Sequence, residues 1–172
     1  EGYHFLHQGA DARREDAVVV GHQDQWAVVF HGPQKYPKWI RIPIFASMKT
    51  AIFPPNAAKP LAPYTPAIQA GGFVFLSGQI ALDEEGILHT GDIATETRKV
   101  MDNIGNLLKA AGLDHSNLVK VTIFLSDMAH YTSVNEVYGT YFSTVPPARE
   151  AVAVKGLPRG VNVEISGIAV KG

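Results

Sequence analysis

Two charged residues, Arg149 and Glu164, stand among apolar strand-forming residues near the end of the sequence. The β-branched runs 151–154 and 161–165 are separated by residues 155–160, whose glycines and proline are typical of a turn, so the segment predicts a β-hairpin. In that hairpin Glu164 would lie opposite the first strand, within diagonal reach of Arg149. A guanidinium can bind a carboxylate through two charge-assisted hydrogen bonds, and a carboxylate can take a proton from water. Because burying an unpaired charge costs several kcal/mol, the two residues predict either a structural salt bridge or a functional site.

The elements that would hold this segment form an α+β pattern. In chain order they are a strand at 50–53, a strand at 73–76, a helix at 93–111, a strand at 118–125 and a helix at 128–142, followed by the hairpin. Asp92 is the expected N-cap of the first helix, and the aromatic stripe of the second is assigned to the core. Two helices with one apolar stripe each would cover one face of a mixed sheet. The other face also needs cover, which predicts self-association.

Seven short motifs resemble the RidA/YjgF family of reactive-intermediate deaminases in their order and spacing. They are APY at 62–64, FLSGQI at 75–80, AAGL at 110–113, VNEVYGTYF at 134–142, PAR at 147–149, LP at 157–158 and VEI at 163–165. So many motifs in register are a stronger signal than any one of them. The resemblance covers residues 48–172, which we interpret as a RidA-like domain.

The resemblance implies a chorismate-mutase-like α+β fold, with a mixed β-sheet and two helices packed on one face. It implies assembly as a homotrimer with pockets at the subunit interfaces. The implied activity is hydrolysis of 2-imino and 2-enamino acids to 2-oxo acids and ammonia, so the partner would be a small-molecule 2-imino or 2-oxo acid. Arg149 would hold the substrate carboxylate and Glu164 would activate the attacking water. No cofactor is expected, because the imine is already electrophilic.

The resemblance also implies substrate-binding positions beside this catalytic pair. They are Tyr64, Ser77, Gly78, Asn135 and Ala151. Each also has a plainer interpretation: Ser77 and Gly78 are typical of a turn at a strand end, and Asn135 could simply form a hydrogen bond on a helix surface. Ala151 stands where family members often carry cysteine, but that position is expected to contribute backbone. The effect of Glu150, next to Arg149, on substrate choice stays open.

Composition excludes several other classes of protein. The formal net charge is −1, so no broad positive field favours nucleic acid or an anionic membrane. The sequence has no cysteine, and its seven histidines show no ligand spacing, so no metal site is expected. No apolar run approaches the length of a membrane span and no signal peptide is evident, which predicts a cytoplasmic protein.

Residues 1–47 precede the region of resemblance. Their β-rich runs at 17–20, 26–30 and 39–44 favour a small meander. The charge run at 11–16 is typical of a solvated segment, and so short a stretch can bury little core. We interpret the segment as an N-terminal extension, either native to the protein or a product of where the sequence was taken to start.

Two other classes of function stay open at this point, a non-catalytic binding protein and a ribonuclease. The Arg149 pocket could sense a small carboxylate without catalysis, or the protein could act as a chaperone-like holdase. Such a sensor would need the arginine but would have no use for Glu164 as a base. A single-strand ribonuclease, an activity also ascribed to relatives, would want a basic groove with interleaved aromatic residues, whereas the lysines and arginines here are scattered.

Overall fold

The computed structural model describes residues 4–5, 17–22, 25–30, 49–55 and 62–171. The chain divides into two compact units, Glu1–Met48 and Lys49–Gly172.

The first unit contains a three-stranded antiparallel sheet in the order β1-β2-β3. Its strands are β1 (His4–Phe5), β2 (Ala17–His22) and β3 (Gln25–Phe30). The strands predicted at 17–20 and 26–30 are confirmed and pair with each other. The β-rich run at 39–44 lies outside the described residues.

The second unit is built on a six-stranded sheet in the order β4-β5-β6-β9-β7-β8. Its strands are β4 (Thr50–Ile52), β5 (Ala67–Ala70), β6 (Phe73–Gln79), β7 (Leu118–Leu125), β8 (Ala148–Ala153) and β9 (Val163–Val170). The pairing is antiparallel throughout except between β7 and β8, which are parallel. Strand β8 therefore lies at an edge, next to the apolar strand β7.

Two helices supply the second layer, α1 (Ile93–Ala110) and α2 (Tyr131–Gly139). The predicted N-cap is confirmed, because the Asp92 carboxylate accepts a hydrogen bond from Thr95 N at 2.8 Å. The apolar stripe of α1 is buried at Val100, Met101, Ile104, Leu107 and Leu108. Helix α2 is shorter than predicted, because residues Met128–His130 form a 3₁₀ turn.

The two faces of the six-stranded sheet differ. Alternate residues such as Val121, Ile123 and Ile165 are buried in the core with the helices. On the opposite face, Phe73 and Phe75 are 48% and 44% exposed, and Phe75 pairs with Ile68 on β5 and with Ile168 on β9. We call this second surface the open face. The predicted α+β fold is confirmed, and in the second unit no described helix or strand covers this apolar sheet surface.

The predicted hairpin between residues 151–154 and 161–165 is wrong. Strand β7 lies between β8 and β9 and pairs with both of them. Helix α2 is the crossover that returns the chain to run parallel to β7, and parallel strands need such a crossover. The glycines and proline of residues 155–160 do not form a tight turn. They belong to a longer connection that runs from β8 to β9 and includes the 3₁₀ turn Pro158–Gly160.

Strand β5 was missed in the sequence. Its four residues carry little β-branched character and lie between Pro66 and the turn at Gly71-Gly72. Gly71 has a φ of 57°, a left-handed conformation that glycine adopts without strain, and this allows the tight β5–β6 turn. Strand β6 also extends further than predicted, so that Ser77 and Gly78 lie inside it.

Candidate active site

Arg149 lies on edge strand β8 with its side chain against helix α2. Its guanidinium donates a hydrogen bond through Nη1 to Asn135 Oδ1 and another through Nη2 to the Tyr131 hydroxyl, at 3.4 Å. No carboxylate in the described part of the chain forms an ion pair with it. A shallow pocket of about 380 Å³ opens beside this arginine. It is lined by Asn135, Tyr138, Gly139, Phe142, Thr144, Pro146, Pro147 and Arg149.

Two tyrosine rings of α2 flank the Arg149 guanidinium. Its central carbon lies 5.0 Å from the ring centroid of Tyr138 and 5.8 Å from that of Tyr131, within cation–π range. Burial raises the pKa of the Tyr138 hydroxyl to about 12, although the nearby arginine charge acts in the opposite direction. The hydroxyl therefore stays protonated at neutral pH, and no described residue forms a hydrogen bond with it.

Glu164 lies on the central strand β9 and is packed against Gly78 of β6. A Cβ atom at Gly78 would lie only 1.8 Å from Glu164 Oε1, so the carboxylate occupies the space that any side chain there would need. Burial raises the pKa of Glu164, because desolvation disfavours the charged form. The site therefore holds a half-buried carboxylate with increased affinity for a proton.

Ser77 and Tyr64 lie near the same region. The Ser77 hydroxyl donates to Thr65 O at 2.7 Å, and its backbone N donates to Pro66 O at 3.0 Å. These bonds fasten the loop that carries Tyr64, whose side chain is 47% exposed. The structure thus brings Ser77 and Gly78 next to the strand that carries Glu164.

Arg149 and Glu164 do not meet within one chain. Arg149 pairs with the buried Val121, so its side chain lies on the helix side of the sheet, whereas Glu164 pairs with Phe124 on the open face. Strands β8 and β9 are two strand spacings apart, and the two residues are offset by three positions along the strands, so their Cα atoms are about 14 Å apart. The predicted contact between them is wrong, and so is the alternative of a salt bridge within the chain. The candidate residues form two groups: Arg149, Asn135 and Ala151 on the helix side, and Glu164, Gly78 and Ser77 on the other. Tyr64 lies in the loop next to Thr65, to which Ser77 bonds.

Glu150 lies on the open face although it neighbours Arg149 in the sequence. Its carboxylate accepts hydrogen bonds from Lys120 Nζ and Thr122 Oγ1. Those bonds hold the pKa of Glu150 below its usual range. Its negative charge is therefore paired and points away from the Arg149 pocket of the same chain.

Several residues around the site were missed or misjudged in the sequence. Tyr131 and Tyr138 were assigned to the core by their helical spacing; this is confirmed for Tyr138, whereas Tyr131 is 38% exposed, and the contact of both rings with Arg149 was missed. Glu96 is fully buried in α1 and accepts hydrogen bonds from Asn162 and Val163. Its position in the helix gave no signal, because its partners lie 66 and 67 residues away.

The described residues contain no group of three or more histidine, aspartate or glutamate side chains that could hold a metal ion. None of the helices in the described part of the chain is long and apolar enough to cross a membrane.

Comparison with known proteins agrees with this architecture. The model of the family described as Endoribonuclease L-PSP matches residues 54–171. The chain belongs to this family. It is the family of RidA, YjgF and RutC proteins, so the resemblance to RidA/YjgF is confirmed.

Individual relatives within the L-PSP family are similar over nearly their whole length. A RutC family protein of Pyrococcus horikoshii is 47% identical over 125 residues, which is 72% of this chain and 99% of the relative. A mouse protein named 2-iminobutanoate/2-iminopropanoate deaminase is 44% identical over 118 residues, covering 68% of this chain and 87% of the relative. A solved structure from Yersinia pestis, described as a conserved Rid family protein of unknown function, has a TM-score of 0.69 at 40% identity. It covers 71% of this chain and 98% of that one.

Proposed function

We propose that the protein hydrolyses reactive 2-imino and 2-enamino acids to 2-oxo acids and ammonia. The observation that carries this proposal is the Arg149 guanidinium, which lines a pocket and forms no ion pair with a described carboxylate. A planar guanidinium suits the carboxylate of a small acid, because it can donate to both oxygens at once. The name of the mouse relative, a deaminase of 2-iminobutanoate and 2-iminopropanoate, supports this substrate class.

Glu164 would supply the general base. It takes a proton from water while the water oxygen bonds to the imine carbon, and passes this proton to the imine nitrogen, which returns Glu164 to its ionised form. The tetrahedral intermediate then carries a hydroxyl and an amino group. Transfer of the hydroxyl proton to the amino nitrogen as the carbon–nitrogen bond breaks releases ammonia and leaves the 2-oxo acid. The raised pKa of Glu164 makes it a stronger base than an ordinary carboxylate, and general-base help of this kind is worth about 10² to 10⁴ in rate. The imine carbon is electrophilic, so the sequence of steps uses no covalent enzyme intermediate.

We further propose that each complete site forms between two subunits of a homotrimer. Within one chain, Arg149 and Glu164 lie on opposite sheet faces, so one subunit cannot present both to the same substrate. The open face carries the exposed apolar side chains Phe73 and Phe75, which a second copy would bury. In this arrangement Arg149 and Asn135 of one subunit meet Glu164, Tyr64 and Ser77 of another; the three-fold number follows from the family resemblance.

The proposal is tested by replacing the base. Glu164→Gln keeps the shape of the side chain but cannot accept a proton, so kcat should fall by about 10² or more. An amino-acid oxidase generates the imino acid in situ, and semicarbazide traps whatever imine remains. Active protein lowers the yield of semicarbazone, and Glu164→Gln should not. Glu136→Gln, the same change at an exposed position on α2, is the control and should match the wild type.

The same experiment addresses a non-catalytic sensor. Binding of a stable 2-oxo acid, measured by calorimetry, should survive Glu164→Gln because Arg149 is untouched. If Glu164→Gln deaminates at the wild-type rate, the assigned mechanism is wrong and a carboxylate sensor becomes the better description of the pocket.

A further inference from the structure

Glu96 is a fully buried carboxylate on α1, in the layer between helix and sheet. Its Oε1 accepts hydrogen bonds from Asn162 N at 2.6 Å and from Val163 N at 3.2 Å, and its Oε2 accepts one from Asn162 Nδ2 at 3.0 Å. No cation among the described residues pairs with it. A buried carboxylate is costly unless its oxygens are satisfied, and here three donors from one short segment satisfy them.

The segment that Glu96 binds is also held from the end of β7. Ser126 N donates to Asn162 O at 2.9 Å, and Ser126 Oγ donates to Asn162 Oδ1 at 3.1 Å. Asn162 is therefore fixed from the helix layer and from the neighbouring strand. Val163 is the first residue of β9, and Glu164 follows it directly.

The hydrogen bonds from Asn162 and Val163 to Glu96 fix the backbone directly before Glu164, and so affect where the Glu164 side chain lies. Val163 is buried on the helix side, so Glu164 points to the open face, where its carboxylate lies against Gly78. The fit against Gly78 is close, and a displacement of about 1 Å at a reacting group can cost about 10² in rate.

We propose that Glu96 is a positioning residue for the hydrolytic site: by fixing the start of β9 it sets where the Glu164 carboxylate lies. The inference rests on the proposed role of Glu164 as the base. Glu96 itself lies on the helix side of β9 and does not touch the substrate in this arrangement.

Glu96→Gln is the variant that tests the role with the least damage to the core. The glutamine oxygen can still accept both backbone N–H groups, but its NH2 group would face the NH2 group of Asn162, so the Asn162 side chain must turn over and exchange its bond from the Ser126 hydroxyl for a weaker neutral network. We expect kcat for imine hydrolysis to fall about tenfold while KM changes less than about twofold, because Arg149 is not affected. Thr97→Val is the matched control: Thr97 is equally buried, its hydroxyl donates to Ile93 O within the helix, and kcat should stay at the wild-type value.

A second variant covers the case in which Glu96→Gln does not fold. Asn162→Ala keeps both backbone hydrogen bonds to Glu96 and removes the two side-chain bonds of Asn162, one to Glu96 and one from the Ser126 hydroxyl. It should lower kcat about threefold with KM unchanged, since part of the attachment remains. Light scattering on every variant checks that the assembly is that of the wild type.

The double variant Glu96→Gln/Glu164→Gln separates positioning from a general structural effect. If Glu96 acts through Glu164, its replacement should cost less than about twofold once Glu164 is already glutamine, because coupled residues are not additive. An equal tenfold loss in both backgrounds, a rise in KM, or a wild-type kcat for Glu96→Gln would overturn this inference alone. A wild-type rate for Glu164→Gln would overturn the proposed function, and this inference with it.

Discussion

Arg149 presents a positive charge between two tyrosine rings and an asparagine, without a described carboxylate to neutralise it. This setting keeps the guanidinium in a fixed orientation and leaves its charge available to an anion. Arginine and lysine are not equivalent here, because only the planar fork can donate to both oxygens of a carboxylate and stack on the rings.

Arg149→Lys should therefore lower kcat/KM for imino acids roughly 30- to 150-fold, which corresponds to a loss of about 2 to 3 kcal/mol of transition-state stabilisation. Steady-state kinetics with the imino acid generated in situ measures this. Arg159→Lys makes the same chemical change at an exposed turn residue and should behave as the wild type. Equal kcat/KM for Arg149→Lys and the wild type would remove Arg149 from the substrate site.

Glu164 should give the activity a characteristic dependence on pH. Burial raises its pKa, so its carboxyl is protonated at a higher pH than an ordinary glutamate. Since only the ionised form can accept a proton from water, kcat/KM should fall as pH decreases through this raised pKa. A pH–rate profile whose acidic limb lies at or below the usual glutamate range would contradict this assignment.

The raised pKa of Glu164 affects stability in the opposite direction: a higher pH favours the activity but lowers the stability. Between the pKa of the unfolded chain and the raised pKa of the folded one, the folded state binds more protons at Glu164. Its contribution to the free energy of unfolding is therefore fully present below the unfolded pKa and is lost as pH rises through the folded pKa. Ionised Glu164 therefore lowers the free energy of unfolding at neutral pH, so Glu164→Gln should unfold at an equal or higher urea concentration than the wild type at that pH.

At the scale of elements, strand β6 contributes Gly78, whose missing side chain makes room for the Glu164 carboxylate. Gly78→Ala should displace the end of that flexible side chain and lower kcat about tenfold or more, with a smaller effect on folding. Gly72→Ala is a suitable control in the preceding turn, because the nearest atom to its new Cβ would be Lys171 O at an ordinary 3.7 Å. A Gly78→Ala protein with the kcat of the control would show that the fit at this position is not needed.

Elements that follow from a local sequence pattern could be predicted, whereas pairing between segments far apart in the sequence could not. Strand β7 and helix α1 were predicted nearly to the residue, because a run of β-branched residues and a capped apolar stripe are local patterns. The order of strands is not local: nothing in residues 151–165 reveals that β7 separates β8 from β9. The contacts of Arg149 with the tyrosine rings of α2 and those of Glu96 with the start of β9 were missed for the same reason, since these elements meet only in the folded chain. Asn135 was placed in the site of Arg149 by the family resemblance and not by a local pattern.

At the scale of the whole molecule, the proposed site between subunits makes activity depend on the open face. Phe75 is 44% exposed at its centre, and a carboxylate there would have to be buried without a partner in an assembled protein. Phe75→Glu should therefore give folded monomers that have lost turnover, although Arg149 and Glu164 are unchanged. Light scattering and the semicarbazide assay measure the two effects. Ile87→Glu, at an exposed loop residue, is the control, and active monomers of Phe75→Glu would exclude a site shared between subunits.

The separation of Arg149 and Glu164 on opposite sheet faces also has a genetic consequence. In the proposed ring of subunits, a site takes its arginine from one chain and its glutamate from the next, so two inactive proteins can repair each other. When Arg149→Lys and Glu164→Gln chains are unfolded together and reassembled in equal amounts, about one quarter of the sites should contain both original residues by random mixing. Activity should then reappear from two preparations that each have almost none. By the same count, a cell producing wild-type and Glu164→Gln chains in equal amounts would keep about half of its sites, because each defective copy disables one site and leaves the others in its ring intact.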